Sequence, residues 1–81
     1  MIDVVFFAQV REQVGTDRLE ISAEYSTVEE LRQALCAHGD KWALALNSGT
    51  LLMAVNQTLV MPDHPIIDGD EIAFFPPVTG G

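Results

Sequence analysis

An α+β roll, in which a mixed β-sheet packs on one main helix, is the fold class this sequence predicts. Three observations predict it. Apolar, β-branched and aromatic runs stand near both ends of the chain, at 2–8 and 71–75. One strong helical period lies between them, at Val28, Leu31 and Leu35. The other strand-like segments are short and separated by turn residues. The 81 residues allow a single domain. It divides into a folded body over 1–75 and an extended tail over 76–81.

The elements follow in order. Residues 2–8 form a strand that is apolar on both faces, as in the centre of a sheet covered on one side. Ile2, Val4, Phe6 and Ala8 make the cleaner set and are placed toward the core. Residues 9–14 form a helical turn closed by Gly15. Residues 17–22 alternate, with Leu19 and Ile21 inward, and pair back on the first strand. Thr27 opens the main helix, with Glu30 at the capping-box position and Glu29 also in the first turn, where the helix dipole favours acids. Gly39 is a natural stop. Residues 41–46 are either a short helix or irregular, with Trp42 packed near the main helix. Residues 51–55 and 58–60 form a hairpin about Asn56-Gln57. Pro62 and Pro65 bracket an irregular segment, Asp68-Gly69-Asp70 makes a tight turn, and 71–75 is the last strand, with Ile72 and Phe74 inward. It is ended by Pro76 and Pro77, which lack amide donors.

A β-β-α-β-β-β order with one crossing helix is met by a sheet that curls around that helix. This is the β-grasp, or ubiquitin-like, roll. Its first and last strands lie side by side as a parallel centre, which suits their apolar character.

Composition excludes several functions. The chain carries 12 acidic and 4 basic residues, a formal charge of −8. Phosphate backbones and anionic membranes are both bound through Lys and Arg, so neither nucleic acid nor a membrane is an expected partner. The charge suits a partner with a basic face, and serves solubility equally well. No apolar run approaches the ~20 residues of a membrane span, and the first residues lack a signal-peptide pattern. A cytoplasmic protein is expected. A body of this size buries only ~60–65% of its unfolded surface, which leaves little room for an enclosed site. Function is expected on a surface, at an end, or in a complex.

Side-chain chemistry is sparse. Cys36 is the single cysteine, so no internal disulfide forms, and a buried, inert thiol is expected. His38 and His64 stand apart and give no metal spacing. Asp68-Gly69-Asp70 lacks the ligand run of a calcium loop. No glycine-rich phosphate loop with a lysine occurs. The chain is expected to bind no cofactor or metal of its own.

The final pair, Gly80-Gly81, is more informative. At a glycine usage of ~7%, a terminal Gly-Gly arises by chance in roughly one chain in 200. Two residues without Cβ pass a channel that any side chain would block, and they present the terminal carboxylate on a flexible tail. Pro76 and Pro77 stiffen the root, Val78 and Thr79 continue it, and six residues reach roughly 20 Å when extended. The strand parities place Val5, Phe7 and Phe75 on the open face of the sheet, with Leu59 beside them. Such a cluster marks a contact site. The opposite parity, or a covering loop, would remove it.

These residues carry a family resemblance. The opening Val4-Val5-Phe6-Phe7-Ala8-Gln9-Val10-Arg11-Glu12, Ala54-Val55-Asn56-Gln57, and the whole run from Asp68 to Gly81 resemble the small, sulfur-carrying subunit of molybdopterin synthase. The resemblance spans the chain. It implies that a ubiquitin-activating-type adenylyltransferase, using ATP, activates the carboxylate of Gly81. Sulfur transfer then gives a thiocarboxylate. Residues Pro76, Pro77, Val78, Thr79 and Gly80 thread into the large subunit, where the sulfur passes to cyclic pyranopterin monophosphate to build the molybdopterin dithiolene. The family's complex is a heterotetramer of two small and two large subunits. Three other readings stand beside it: a sulfur carrier for thiamin or tRNA thiolation, a modifier joined to lysines, and a pure interaction module.

Overall fold

The structure, a computed structural model, describes residues 1–47 and 49–77. In chain order its elements are β1 (Ile2–Phe6), α1 (Ala8–Val14), β2 (Arg18–Ile21), α2 (Val28–Cys36), α3 (Asp40–Leu46), β3 (Leu52–Val55), β4 (Thr58–Leu59) and β5 (Glu71–Phe75). The sheet order is β2-β1-β5-β3-β4. β1 and β5 pair in parallel at the centre, with Val4 beside Ile72 and Phe6 beside Phe74. The other pairings are antiparallel. The expected mixed sheet and parallel centre are both present.

The expected inward parity holds within the strands, except that Ala8, expected inward, lies beyond β1 in α1 and is exposed. Ile2, Val4, Phe6, Ile72 and Phe74 are buried, together with Val28, Leu31 and Leu35 of α2. Phe6 lies against Phe74, with ring centroids 6.3 Å apart. Trp42 meets the Phe6 ring edge-on at 5.5 Å. It also lies against His38, just beyond α2, at 5.3 Å.

The first strand is shorter than its composition predicts. It stops at Phe6, and Phe7 becomes the N-cap of α1. Ala8 then takes φ +52°, a left-handed conformation that costs an L-residue with a Cβ roughly 1–2 kcal/mol. The chain turns sharply out of the sheet there. Gly15 closes α1 as expected, at φ +83°, with its amide donating to the carbonyl of Arg11 at 3.0 Å.

Three amides at the N-terminus of α2 find partners outside the helix's own ladder. The amide of Val28 donates to the His64 carbonyl at 3.1 Å, and that of Glu29 to the Pro62 carbonyl at 2.9 Å. The amide of Glu30 donates to Thr27 Oγ1 at 3.2 Å, and that of Leu31 to the Thr27 carbonyl at 3.2 Å. A helix start leaves four orphan donors, here those of Thr27 to Glu30, and the Leu31 bond is the first of the helix ladder itself. The proline-bracketed loop therefore serves as half of the cap, and Ile66 within it is buried. The Glu30 carboxylate accepts from the amide of Ser26 at 3.0 Å, one residue earlier than in the standard capping box.

Gly39 does not stop the main helix. α2 ends at Cys36 with Ala37 as cap, its amide reaching back to Ala34 at 3.2 Å and that of His38 to Leu35 at 3.0 Å. These tightened i→i−3 bonds end the helix with no left-handed residue. Gly39, at φ +152°, instead precedes α3. Of the two readings of 41–46, helix is correct. Leu44 and Leu46 are ~200° apart around a helix, so Leu46 is buried while Leu44 is exposed. Val10 and Val14 of α1 and Ala45 and Leu46 of α3 thus join the main helix α2 in the core.

Arg32 ties α2 to the end of α3. Its Nη1 donates to the Leu46 carbonyl at 2.9 Å and to Asn47 Oδ1 at 2.8 Å. Its Nε and Nη2 donate to the two oxygens of Glu29 at 2.8 and 2.6 Å. The Arg32 hydrogen bonds, aided by one from Gln33, hold the Glu29 carboxyl at about 2. A depressed folded-state pKa gives stability that is present above the ordinary carboxylate range and lost as pH falls toward the folded value. Denaturant unfolding at pH 5 and near pH 2.5 should therefore show a larger loss in the wild type than in Glu29→Gln. Equal losses in the two proteins would contradict this role for Glu29.

Candidate functional site

The site is built around the end of β5. The open face of the sheet carries the residues that alternate with the core set. The register lays Arg18, Val5, Ala73, Ala54 and Leu59 in one row across β2, β1, β5, β3 and β4. Phe75 stands opposite Leu52 one step closer to the tail. The two alanines keep the middle of the row shallow, and larger groups rise at its edges.

The sequence-predicted contact residues fall as follows. Val5 and Phe75 are half-buried on the open face, while Phe7 is 49% and Leu59 63% exposed. Phe7 lies just beyond β1, yet its amide donates to the Phe74 carbonyl at 3.3 Å. That bond extends the ladder and puts Phe7 level with Phe75. Leu59 shares the face but does not sit beside them. β3 lies between β4 and β5, a separation of roughly 10 Å at ordinary strand spacing. A groove of about 310 Å³, lined by Leu51, Leu52, Met53, Leu59, Val60, Met61 and Pro62, flanks Leu59.

Pro76 is half-buried and Pro77 exposed at the root of the tail. Both line a wider groove of about 640 Å³ with Gln9 and Gln13 of α1 and Leu44 of α3. Val78, Thr79, Gly80 and Gly81 lie outside the described residues. Sequence reasoning missed this groove, and also the exposed Leu44 and Met61. Helical spacing would have placed Leu44 away from Leu46 once α3 was assigned. The remainder depends on register between distant strands.

The other candidate groups serve local structure. Cys36 is half-buried rather than buried. It packs against the edge of the core, and its Sγ lies 3.8 Å from Arg32 Nη1 and 3.6 Å from Asn47 Oδ1 at the α2–α3 tie. His64 caps α2 through its carbonyl. Asp70 accepts from the amide of Ile67 at 2.9 Å and from Asn56 Nδ2 at 3.0 Å, with Gly69 at φ +92° between the two aspartates. Asn56 and Gln57 have φ +50° and +69°, the two positive values of a type I′ hairpin turn. Asp68 pairs with the Met1 ammonium, whose hydrogen bond and charge hold the carboxyl below its ordinary range. Among the described residues, no group of three His, Cys, Asp or Glu side chains could hold a metal ion. No described helix is long and apolar enough to cross a membrane.

The fold and the position of its last strand define a class: a ubiquitin-like β-grasp domain with a proline-rooted C-terminal extension. Residues 4–81 match the model of the ThiS family, and the chain belongs to that family. It is 68% identical, over the full length of both chains, to the molybdopterin synthase sulfur carrier subunit of Escherichia coli strain K12. It is 53% identical, again over both full lengths, to the protein of the same description in Haemophilus influenzae. Among solved structures, it superimposes with a TM-score of 0.72 and 28% identity on a chain from the Helicobacter pylori complex of subunits 1 and 2 of the molybdopterin-converting factor, covering 99% of this chain and 97% of that one. The Haloferax volcanii protein SAMP1 also matches, with a TM-score of 0.72 and 25% identity over 99% of this chain and 98% of that one.

Proposed function

We propose that this chain is the small, sulfur-carrying subunit of a molybdopterin synthase and that the carboxylate of Gly81 carries the sulfur. The observation that supports the reading most strongly is the full-length identity of 68% to a molybdopterin synthase sulfur carrier subunit. In this reading residues 1–75 are a docking body and residues 76–81 a delivery arm. The protein works in the cytoplasm and holds no cofactor itself.

The chemistry follows from the carboxylate. Its oxygen is a poor leaving group, so sulfur cannot displace it directly. A ubiquitin-activating-type adenylyltransferase binds ATP and the tail together. The Gly81 carboxylate attacks the α-phosphorus, pyrophosphate leaves, and an acyl adenylate forms. A sulfur nucleophile then displaces AMP and leaves a thiocarboxylate. The thiocarboxylate sulfur is the covalent nucleophile. Docked in the large subunit, it is passed to cyclic pyranopterin monophosphate, and hydrolysis restores the carboxylate. Two deliveries complete the dithiolene. Acid–base groups and phosphate ligands come from the large subunit, and two small and two large subunits assemble into a heterotetramer. Catalysis thus belongs to the complex, with this chain as its sulfur-bearing part.

The geometry is consistent with delivery by an arm. Pro76 and Pro77 restrict the root and lower the ordering cost of insertion. Gly80 and Gly81 add no side-chain width. Val5, Phe7 and Phe75 give the body an apolar face beside the root, and Leu59 lies farther out on the same face. The complex of subunits 1 and 2 of the converting factor, solved for the Helicobacter pylori relative, supports a large-subunit partner.

A protein-modifier reading draws support from the match to SAMP1, a small archaeal modifier protein. In that case Gly81 would join lysines of other proteins, and a ladder of conjugates would appear in cells.

Two outcomes test the carrier reading. Deletion of Gly81 should abolish sulfur donation in a reconstituted synthase while the melting temperature and the affinity for the large subunit stay near wild type. Retained donation would rule out the terminal carboxylate. Phe75→Ala should weaken the affinity for the large subunit by ~1–3 kcal/mol, as expected for a buried aromatic anchor. An unchanged dissociation constant by calorimetric titration would exclude Phe75 from the interface.

A further inference from the structure

The chain is strongly acidic, yet two of its 4 cationic side chains converge at one place. Arg11 of α1 and Arg18 of β2 both line a groove of about 300 Å³ with Val5, Phe6, Phe7 and Asp17. The groove lies at the end of the sheet where β1 and β5 finish, next to the root of the tail. Asp17 also lines it, and its carbonyl accepts from the amide of Phe6 at 3.0 Å.

The pairing of these arginines is unusual for such a composition. With 12 carboxylates in the chain, an exposed guanidinium should find one easily. Among the described residues, Arg11 makes no ion pair, and Arg18 makes only a 3.7 Å contact with Glu71 across β1. Arg32, by contrast, is held by two short bonds to Glu29. Asp17 shares the groove but forms no ion pair with either arginine. The groove is therefore lined by two arginines, the half-exposed Phe7 and one acidic residue, Asp17, and Arg18 also reaches Glu71.

We propose that this notch receives an Asp or Glu side chain of the protein that accepts the tail. The inference rests on the docking reading above and adds a specificity contact to it. Guanidinium forks match carboxylates in two-point geometry. Arginine and aromatic residues together are the usual anchors of protein interfaces. The notch continues the face that carries Val5 and Phe75, so a partner covering that face reaches it without further movement. Two elements, α1 and β2, hold the two cations, so one carboxylate clamped between them fixes the rotation of the body. That rotation sets the direction in which the tail leaves.

The charge of the whole chain gives the test its sign. If the arginines were only part of a solvated surface, replacing one by an acid would raise the net negative charge and favour a basic partner. If they form the notch, the same change places like charges together and weakens binding. The experiment is a titration of the purified large subunit with the full-length wild type, Arg11→Ala, Arg11→Glu, Arg18→Glu and Leu59→Ala, after thermal melts confirm folding. Arg11→Ala should weaken the complex roughly five- to thirtyfold, the span of a moderate hot spot. Arg11→Glu and Arg18→Glu should weaken it further. Wild-type or tighter binding by the acidic variants, with Leu59→Ala weakened, overturns the notch and leaves the docking face standing. Wild-type binding by every variant overturns both.

Discussion

The parallel pairing of β1 with β5 is the contact on which the rest of the structure depends. It joins the first strand of the chain to the last, so that Asp3 lies beside Glu71 and Phe6 beside Phe74. Bringing such distant segments together has a loop-closure cost that grows slowly with length. The core formed between them offsets it: Ile2, Val4, Phe6, Ile72 and Phe74 are all buried beneath α2. The same pairing determines where function can sit. Because the strands run the same way, β1 and β5 finish at the same end of the sheet. Phe7, Phe75 and the tail root are consequently neighbours.

The helical layer supports that arrangement from the other side. α2 fills the concave face with Val28, Leu31 and Leu35. Its first amides are satisfied by carbonyls of the loop that leads toward β5. A helix start capped in this way is coupled to the segment that delivers the last strand. At the other end, Arg32 joins α2 to α3. α3 in turn presents Leu44 and Ala45 to the groove that Pro76 and Pro77 complete. The tail root is therefore bordered by the open sheet face on one side and by helices α1 and α3 on the other.

Much of this was legible in the sequence, and the parts that were not share a cause. Alternation at 2–6 and 71–75 gave the correct inward faces because both strands have one buried side. Thr27 and Gly15 gave helix limits because their side-chain or backbone chemistry is local. Gly39 misled because glycine suits both the end of one helix and the start of the next, and only the packing of α3 decides between them. Nothing about alanine signals the positive φ of Ala8. Leu59 was assigned to the right face but too close to Phe7, since the position of β4 depends on β3 lying between it and β5. The convergence of Arg11 and Arg18 is likewise set by the antiparallel register of β1 and β2 and by the placement of α1. The terminal Gly80-Gly81 pair stood out by composition and position, the chemistry expected of Gly81 came from the family resemblance, and both residues lie outside the described residues.

In the proposed function the body docks and the terminus reacts, so the central claim concerns one atom of Gly81. The most direct measurement is the intact mass of the full chain after incubation with ATP, a sulfur source and its activating enzyme, with fragment ions locating any change. Replacement of one oxygen by sulfur at Gly81 is the result this account predicts. An unchanged Gly81, accompanied by conjugates of the chain on other proteins, would contradict it and favour a modifier.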